Sequence, residues 1–130
     1  MSAIDPEKLK ADGRPPGLPF RIQKIGHVVL NVTDMDRSVK FYTEVLGFKV
    51  SDVYKEDMMP GGMVFMRFSA DHHGVALVGG MPHESKSVEL NHFAFEVGTL
   101  DEVLRAAIHL HKHKVQVDFE GRRRAGVQIA

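Results

Sequence analysis

The sequence predicts an α+β fold made of two related β-α-β-β-β units, the second of which lacks most of its last two strands. The first observation is a repeat: residues 25–32 read IGHVVLNV, residues 90–97 read LNHFAFEV, and His27 matches His92 at an offset of 65 positions. The second is that both runs are followed by apolar residues at helical spacing. The third is a series of short strand-like runs separated by glycine pairs. A duplicated fold unit is the simplest cause of this pattern.

Composition predicts one compact domain that binds a small molecule. The chain has 130 residues, of which 43% are hydrophobic and 26% are charged. Seventeen basic and seventeen acidic residues leave no net charge to attract nucleic acid or an anionic membrane. Cysteine is absent, which excludes disulfides and thiolate chemistry. No apolar run approaches the roughly 20 residues of a membrane span, so we expect a cytoplasmic protein.

The first unit begins after an N-terminal arm. Residues 1–22 contain four prolines and no sustained apolar period, which is typical of an arm or linker. Residues 23–32 are dense in apolar and β-branched side chains and predict a strand buried on both faces or nearly so. The predicted domain therefore covers residues 23–130, with a first unit at 23–80 and a second at 88–130.

A helix and three further strands complete the first unit. Thr33 and Asp34 can cap a helix of about three turns, whose apolar residues recur at helical spacing until Gly47 ends it. Residues 48–54, 63–69 and 74–78 follow as strands, with a turn at Gly61 and Gly62.

The second unit is predicted to repeat this order only in part. Residues 90–97 would form its first strand, Thr99 would cap a helix, and residues 115–119 would form its second strand. The offset matches residues 128–130 with the start of the third strand. An open sheet edge would leave backbone groups unpaired, so either a C-terminal piece has been lost or another chain covers the edge, and on the second interpretation we expect a homodimer.

The run GHVVLNVTDMDRSVKFYTEVLGFKV and the later NHFAFEV followed by LDEVL resemble the vicinal oxygen chelate superfamily. This superfamily includes glyoxalase I, extradiol dioxygenases and bleomycin resistance proteins, and the resemblance covers residues 24–130. It implies two βαβββ modules whose sheets curl into a funnel around a divalent metal. In this alignment His27 and His92 match the first-strand metal ligands.

The remaining ligand positions favour the extradiol members of the superfamily. In glyoxalase-like sites both last strands supply a ligand, whereas extradiol-like sites use two histidines and one carboxylate from the second module. The corresponding position in the first module is Ala76, whose methyl group cannot bind metal. The stretch DHHGVALVGG also looks like dioxygenase-like members. The resemblance places the third ligand beyond Ala130, and it implies Fe(II) as the cofactor, with Mn, Zn or Ni as alternatives.

The other histidines have two interpretations each. His72 and His73 lie in a turn between strands, where surface placement is favoured over an acid-base role near the funnel mouth. His109, His111 and His113 end the second helix; His109 and His113 share a face and can bind adventitious nickel or zinc, although solvated residues are the preferred interpretation.

Two further clusters also have ordinary interpretations. The three arginines at 122–124 are predicted in a loop, as a solvated turn in preference to an anion site. The methionines at 58, 59, 63 and 66, with Phe65 and Phe68, fit either an adaptable pocket or the core. The glycine pairs match no phosphate-binding loop, which argues against nucleotide binding.

The predicted function is metal-dependent extradiol cleavage of a catecholic or similar vicinal-oxygen substrate. The alternatives are a glyoxalase-type lyase or isomerase and a metal-free protein that binds or sequesters a small molecule. The paired histidines favour an enzyme, whereas Ala76 and the missing carboxylate favour the binding protein.

Overall fold

The computed structural model describes residues 4–11, 13, 16–87, 89–123 and 126–130. Its larger sheet contains four strands: β1 (Val28–Asn31), β2 (Lys49–Tyr54), β3 (Met63–Arg67) and β4 (Val75–Val78). They lie in the order β1-β4-β3-β2, with β1 parallel to β4 and the remaining pairs antiparallel. The strand order along the chain confirms the β-α-β-β-β prediction for the first unit.

The helix of the first unit is irregular. It consists of α2 (Met35–Lys40) and a π-helical turn (Phe41–Val45), after the short α1 (Pro6–Lys10) within the N-terminal arm. The Asp34 side chain caps α2 by accepting a hydrogen bond from the Arg37 backbone N–H. Gly47 follows the turn at φ 76°, a left-handed conformation that glycine adopts without a Cβ penalty, so the predicted helix stop is confirmed.

The core lies between the large sheet and the helix of the first unit. Met66, Val75 and Leu77 are completely or almost completely buried, and Phe48 joins them. Apolar residues of β1, α2 and the π-helical turn pack against this cluster. The alternation of side chains along β3 and β4 produces this layer, because every second residue points to the helix side.

The first strand is shorter and more exposed than the sequence predicts. β1 begins at Val28, five residues later than expected, and Val29 remains 43% exposed. The prediction of burial on both faces is wrong, because only the alternate residues Val28 and Leu30 face the helix layer. Side chains on the opposite face of an antiparallel or mixed sheet can stay in contact with water.

The second unit departs most from its prediction. Residues 90–97 form no strand, and no backbone hydrogen bond within the described ranges joins them to another segment. Residues 115–119 are also outside any strand, so both of these strand predictions are wrong. A strand requires a neighbouring strand to receive its backbone hydrogen bonds, and local sequence does not provide one.

A helix and a small hairpin make up the rest of the second unit. α3 (Leu100–Lys112) confirms the predicted helix, and the Thr99 hydroxyl accepts a hydrogen bond from the Glu102 backbone N–H as predicted. β5 (Glu120–Arg123) pairs antiparallel with β6 (Gly126–Ile129), and reciprocal hydrogen bonds between Phe119 and Ala130 extend the pairing. The strand near residue 128 is therefore present.

The predicted loop of three arginines is a strand. Arg122 and Arg123 are exposed on β5, and the Arg123 guanidinium lies 4.1 Å from the centre of the Phe119 ring. Arg124 lies outside the described residues. The sequence did not predict this strand because it contains no apolar alternation here. The strand forms through its pairing with β6. None of the helices in the described ranges is long and apolar enough to cross a membrane.

Candidate functional site

The face of the large sheet opposite the helix carries the predicted first-unit ligand positions. Register pairs Val29 with Ala76 and Ala76 with Phe65, so these three side chains lie side by side across β1, β4 and β3. Ala76 is fully buried and Phe65 is nearly so. The last strand of this unit therefore presents a methyl group, and no metal donor, at its centre.

Three histidines meet beside this face, and we call His27, His72 and His73 the histidine cluster. The ring centres of His27 and His73 are 4.5 Å apart with the ring planes inclined by 50°. The Nδ1 atoms of His72 and His73 are 2.9 Å apart, which is a hydrogen-bond distance. Chain direction explains the meeting: His27 precedes β1, His72 and His73 precede β4, and these strands run parallel.

A carboxylate and an aromatic ring flank the histidine cluster. Asp52 Oδ2 lies 4.0 Å from His72 Nε2, within reach of an ion pair when His72 is protonated. Phe65 packs its ring 5.0 Å from that of His73, edge to face, and Tyr54 packs against Phe65 in turn. A row of four rings thus crosses the sheet face from Tyr54 to His27.

The environment of His73 lowers its pKa. Burial of the ring, followed by the neighbouring His27 and His72, lowers the pKa of His73 below its ordinary value. A neutral imidazole retains the lone pair that can accept a proton or bind a metal.

His92 occupies a different environment. Its Nδ1 is 2.6 Å from the side-chain oxygen of the adjacent Asn91, and no ring contact within the described ranges joins it to the histidine cluster. The segment that carries it is held by aromatic packing, because Phe95 contacts Phe48 and Phe68 at 5.4 and 5.5 Å between ring centres. The structure therefore does not bring His92 into contact with His27.

The donor set does not fit the three-ligand site implied by the family resemblance. Among the residues that the structure describes, no group of three or more histidine, aspartate, glutamate or cysteine side chains is arranged to hold a metal ion. Two imidazoles without a carboxylate leave the charge of a divalent ion uncompensated and its coordination incomplete. The metal pair His27 and His92 stays a prediction.

The histidines near the C-terminal end of α3 contact neighbouring elements of the fold. His109 Nε2–H donates a hydrogen bond to the Val45 carbonyl at 2.7 Å, and His111 Nε2 is 2.6 Å from Glu120 Oε1. His113 packs its ring 4.5 Å from that of His109 on the same helix face. These contacts connect α3 to the π-helical turn and to β5, a role that helix periodicity alone did not predict.

The cluster of methionines divides between core and surface. Met66 is completely buried, whereas Met58 and Phe68 are more than half exposed. A cleft of about 450 Å³ lies elsewhere, on the helix side of β1, where Asp34, Arg37 and Tyr42 line it. The cleft contains none of the predicted ligand residues.

Sequence reasoning missed Asp52 and Phe65 as neighbours of the histidines. Asp52 faces Phe65 because the register of β2 against β3 shifts between Val50 and Asp52, a β-bulge that reorients side chains. No turn or glycine signal marks this bulge in the sequence. The pair His72-His73 was visible as DHHG, but its contact with His27 depends on the pairing of β1 with β4.

Comparison with known proteins places the fold and the sequence in one family. The model of the Glyoxalase/Bleomycin resistance protein/Dioxygenase superfamily matches residues 24–129. The structure also resembles glyoxalase I of Leishmania major, with a TM-score of 0.62, 24% sequence identity, and coverage of 84% of this chain and 79% of that one. This likeness shows the fold.

Two curated relatives are enzymes. Biphenyl-2,3-diol 1,2-dioxygenase of Paraburkholderia xenovorans is 38% identical over 84 residues, which is 62% of this chain and 27% of that protein. A probable trivalent organoarsenical cleaving enzyme of Bacillus subtilis is 33% identical over 98 residues, 75% of this chain and 57% of that protein. The chain thus spans about a quarter of the dioxygenase and a little over half of the second relative.

The match to the family model extends over most of the chain, and the glyoxalase-type fold agrees with it. The resemblance carried by His27, the capped helix and the NHFAFEV run is confirmed. The chain belongs to the Glyoxalase/Bleomycin resistance protein/Dioxygenase superfamily.

Proposed function

We propose that this chain functions in the extradiol cleavage of a catecholic or similar vicinal-oxygen substrate. The observation that carries the proposal is the 38% identity with biphenyl-2,3-diol 1,2-dioxygenase over 84 residues. Reactions of this class add both atoms of dioxygen to the substrate and open the ring at the carbon–carbon bond beside a hydroxyl-bearing carbon. Fe(II) is the proposed metal, with Mn, Zn or Ni as alternatives, and a cytoplasmic location stays a prediction.

The structure supports the part of this proposal that concerns substrate binding. The ring row formed by Tyr54, Phe65, His73 and His27 offers aromatic surfaces and imidazole nitrogens on one sheet face. Aromatic faces pack against a substrate ring, and imidazoles can exchange hydrogen bonds with its hydroxyl groups. The described donors do not complete the metal site, so no chemical step is assigned to the metal.

A second candidate is metal-free binding of a similar small molecule. The absence of a three-donor group among the described side chains favours it, as does the buried methyl group of Ala76 at the ligand position. A glyoxalase-type lyase or isomerase is a weaker alternative, because its ligand set would also require a donor at that position.

One pair of measurements separates the candidates. Protein loaded anaerobically with Fe(II) is mixed with biphenyl-2,3-diol and air, and a yellow ring-cleavage product is expected. Binding of the same diol to metal-free protein is measured by fluorescence titration. Product formation supports the enzyme, and diol binding without product supports the binding protein. If the protein neither forms product nor binds the diol, both candidates are contradicted.

Metal content provides a second check of the proposed ligands. His27→Ala is expected to lower the iron bound after anaerobic loading, and His92→Ala is expected to do the same if the family ligand positions are used. Iron content unaffected by both substitutions would rule out the predicted pair.

The proposal includes a homodimer. β1 and β2 are the edge strands of the large sheet in the described part of the chain, and unpaired edges favour association with another strand. Sedimentation equilibrium is expected to give twice the 14.5 kDa mass of the chain.

A further inference from the structure

We propose that two copies of this chain associate by packing the exposed apolar side of α3 in one copy into an apolar groove beside α2 in the other. The interface rests on the homodimer in the proposed function and identifies the two surfaces that form it. It requires neither a metal nor the cleavage reaction, so it can be tested separately from them.

Helix α3 carries apolar residues that its own copy leaves uncovered. Leu100, Leu104 and Ile108 recur every four residues, so they form one line along the helix, which we call the α3 stripe. Each is more than half exposed, whereas the apolar residues Val103 and Leu110 on the adjoining side of the helix are partly buried. Large apolar side chains in line on a helix are typical anchors for binding in a groove.

The receiving surface, which we call the α2 groove, lies between the helix of the first unit and strands β2 and β3. It has a volume of about 430 Å³. Its apolar lining consists of Met35, Val39, Val50, Val53 and Val64. Strand β2 is at the edge of the large sheet in the described part of the chain, so a second copy can approach the groove from that side.

The two surfaces match in length. The α3 stripe extends about 12 Å from Leu100 to Ile108, at 1.5 Å per residue. Met35, Val39 and Thr43 line the helical side of the α2 groove at the same spacing of four residues. Rows of side chains with this spacing interdigitate when helices pack. Removal of both apolar surfaces from water would drive the association.

Charges beside both surfaces favour a second copy as the occupant. Lys40 and Glu44, which also line the α2 groove, form an ion pair at 4.0 Å, and Asp101 and Arg105 form one at 2.8 Å beside the α3 stripe. Docking can place Lys40 opposite Asp101 and Glu44 opposite Arg105, so the two pairs are complementary in sign. A two-fold axis would make the same contact twice.

The helix that fills the groove comes from the other copy. Within one copy, the hydrogen bond from His109 to the Val45 carbonyl holds α3 at the end of the π-helical turn. The α3 stripe remains exposed in that position. The groove and the stripe of each copy are therefore both open to a partner.

The test is sedimentation equilibrium of the whole chain, in which the unmodified protein is expected to be a dimer. Leu104→Asp in the stripe and Val53→Asp in the groove are each expected to raise the dimer dissociation constant at least about tenfold, because association would bury an unpaired carboxylate. Leu9→Asp is the matched control, since Leu9 is exposed on α1, outside both surfaces, and it should leave the constant unchanged.

Circular dichroism establishes that each variant is folded. Leu104→Ala and Val53→Ala replace any aspartate variant that does not fold, and they are expected to weaken the dimer in the same direction. Both positions are more than half exposed, so these milder changes leave the core intact.

Mixing the two aspartate variants tests whether stripe and groove contact each other. In a mixed dimer, the Val53→Asp copy supplies an unmodified stripe and the Leu104→Asp copy supplies an unmodified groove, so one of the two contacts is restored. The mixture is expected to associate more tightly than either variant alone. Absence of any gain on mixing would overturn the inference.

A charge exchange tests the register of the two helices. Lys40→Glu and Asp101→Lys are each expected to raise the dimer dissociation constant by about two- to fivefold, as for exposed ion pairs. The two changes combined in one chain should restore the original value, because the opposite charges face each other again. Additive weakening in the combined variant would contradict this register.

The outcomes separate this interface from the rest of the proposed function. A dimer whose dissociation constant is unchanged by both Leu104→Asp and Val53→Asp would overturn the interface and leave the homodimer to the sheet edges. An unmodified chain that stays monomeric throughout the micromolar range would overturn both, and the groove would then suit a different partner. Dimerisation as expected without diol cleavage would contradict the proposed reaction and leave the interface in place.

Discussion

At the scale of single residues, Gly61 and Gly79 show where the fold leaves no room for a side chain. A Cβ added at Gly61 would lie 2.1 Å from the Gly79 carbonyl oxygen, and one added at Gly79 would lie 2.2 Å from that of Gly61. Gly61 also has a φ of 86°. The turn between β2 and β3 therefore requires glycine at position 61 for both space and conformation, and the end of β4 requires it at position 79 for space.

Gly61→Ala is consequently expected to lower the free energy of unfolding by about 1–3 kcal/mol or more, since the contact is with backbone. Urea unfolding followed by circular dichroism measures the change. Gly26→Ala is the matched control, because a Cβ there meets nothing within 4 Å and φ is not positive. Equal effects of the two substitutions would contradict the close approach.

Leu77 tests the position of the core. The side chain is completely buried on β4 within the cluster of Met66 and Val75. Leu77→Ala is expected to lower the free energy of unfolding by about 2–5 kcal/mol through lost burial and a cavity.

Leu9→Ala provides the comparison, because Leu9 is 71% exposed on α1. Its effect should stay within about 0.5 kcal/mol in the same urea experiment. A similar loss for both leucines would place the core elsewhere.

Asp71 should titrate abnormally. A hydrogen bond from Lys24, together with its positive charge, lowers the pKa of the Asp71 carboxyl. The stabilisation is therefore present above the ordinary pKa of the unfolded state and is lost as the pH falls through the lowered folded value. Titration followed by carboxyl ¹³C NMR is expected to show the shift.

Lys24→Ala should return the pKa of Asp71 towards its ordinary value. Lys40→Ala is the control, since Lys40 is the partner of Glu44 on the same helical segment. An Asp71 titration that is the same in the unmodified chain and in Lys24→Ala would refute the ion pair.

At the scale of elements, helix caps were readable from the sequence, whereas helix type was not. Thr99 and Asp34 accept backbone hydrogen bonds at the starts of α3 and α2. The π-helical turn was not predicted, and the Thr43 hydroxyl donates a hydrogen bond to the Val39 carbonyl beside it. Capping depends on one side chain and its own next turn, but the irregular turn also depends on packing against the sheet.

Thr99→Ala is expected to lower the free energy of unfolding by about 1 kcal/mol through loss of the N-cap of α3. Thr33→Ala is the matched control, because Asp34 and not Thr33 caps α2. Its effect should remain within about 0.5 kcal/mol. Far-UV circular dichroism during urea unfolding measures both changes. A larger loss of stability for Thr33→Ala than for Thr99→Ala would contradict the assignment of Asp34 and Thr99 as the capping residues.

At the scale of the whole molecule, His109 makes one of the contacts that join the two units. Its Nε2–H donates to the Val45 carbonyl, which connects α3 with the π-helical turn of the first unit. A second connection is aromatic, because Phe95 packs on Phe48 and Phe68. Both link residues that are distant in the sequence.

His109→Ala is expected to lower the free energy of unfolding by about 1 kcal/mol, the net value of a typical hydrogen bond. Amide hydrogen exchange should also become faster in α3. His113→Ala removes the neighbouring ring and leaves the bond to Val45, so it is expected to have the smaller effect. Equal effects would mean that the ring contact, and not the hydrogen bond, holds the helix.

The sequence by itself determined the family, the order of elements in the first unit, the helix caps and the absence of a donor at Ala76. These properties depend on neighbouring residues or on a linear motif. Only the tertiary structure decided that residues 90–97 form no strand and that His27 meets His73, with Asp52 beside His72. The physical reason is that strand pairing and ring contacts depend on which distant segment supplies the partner, and a repeated histidine does not reveal that partner.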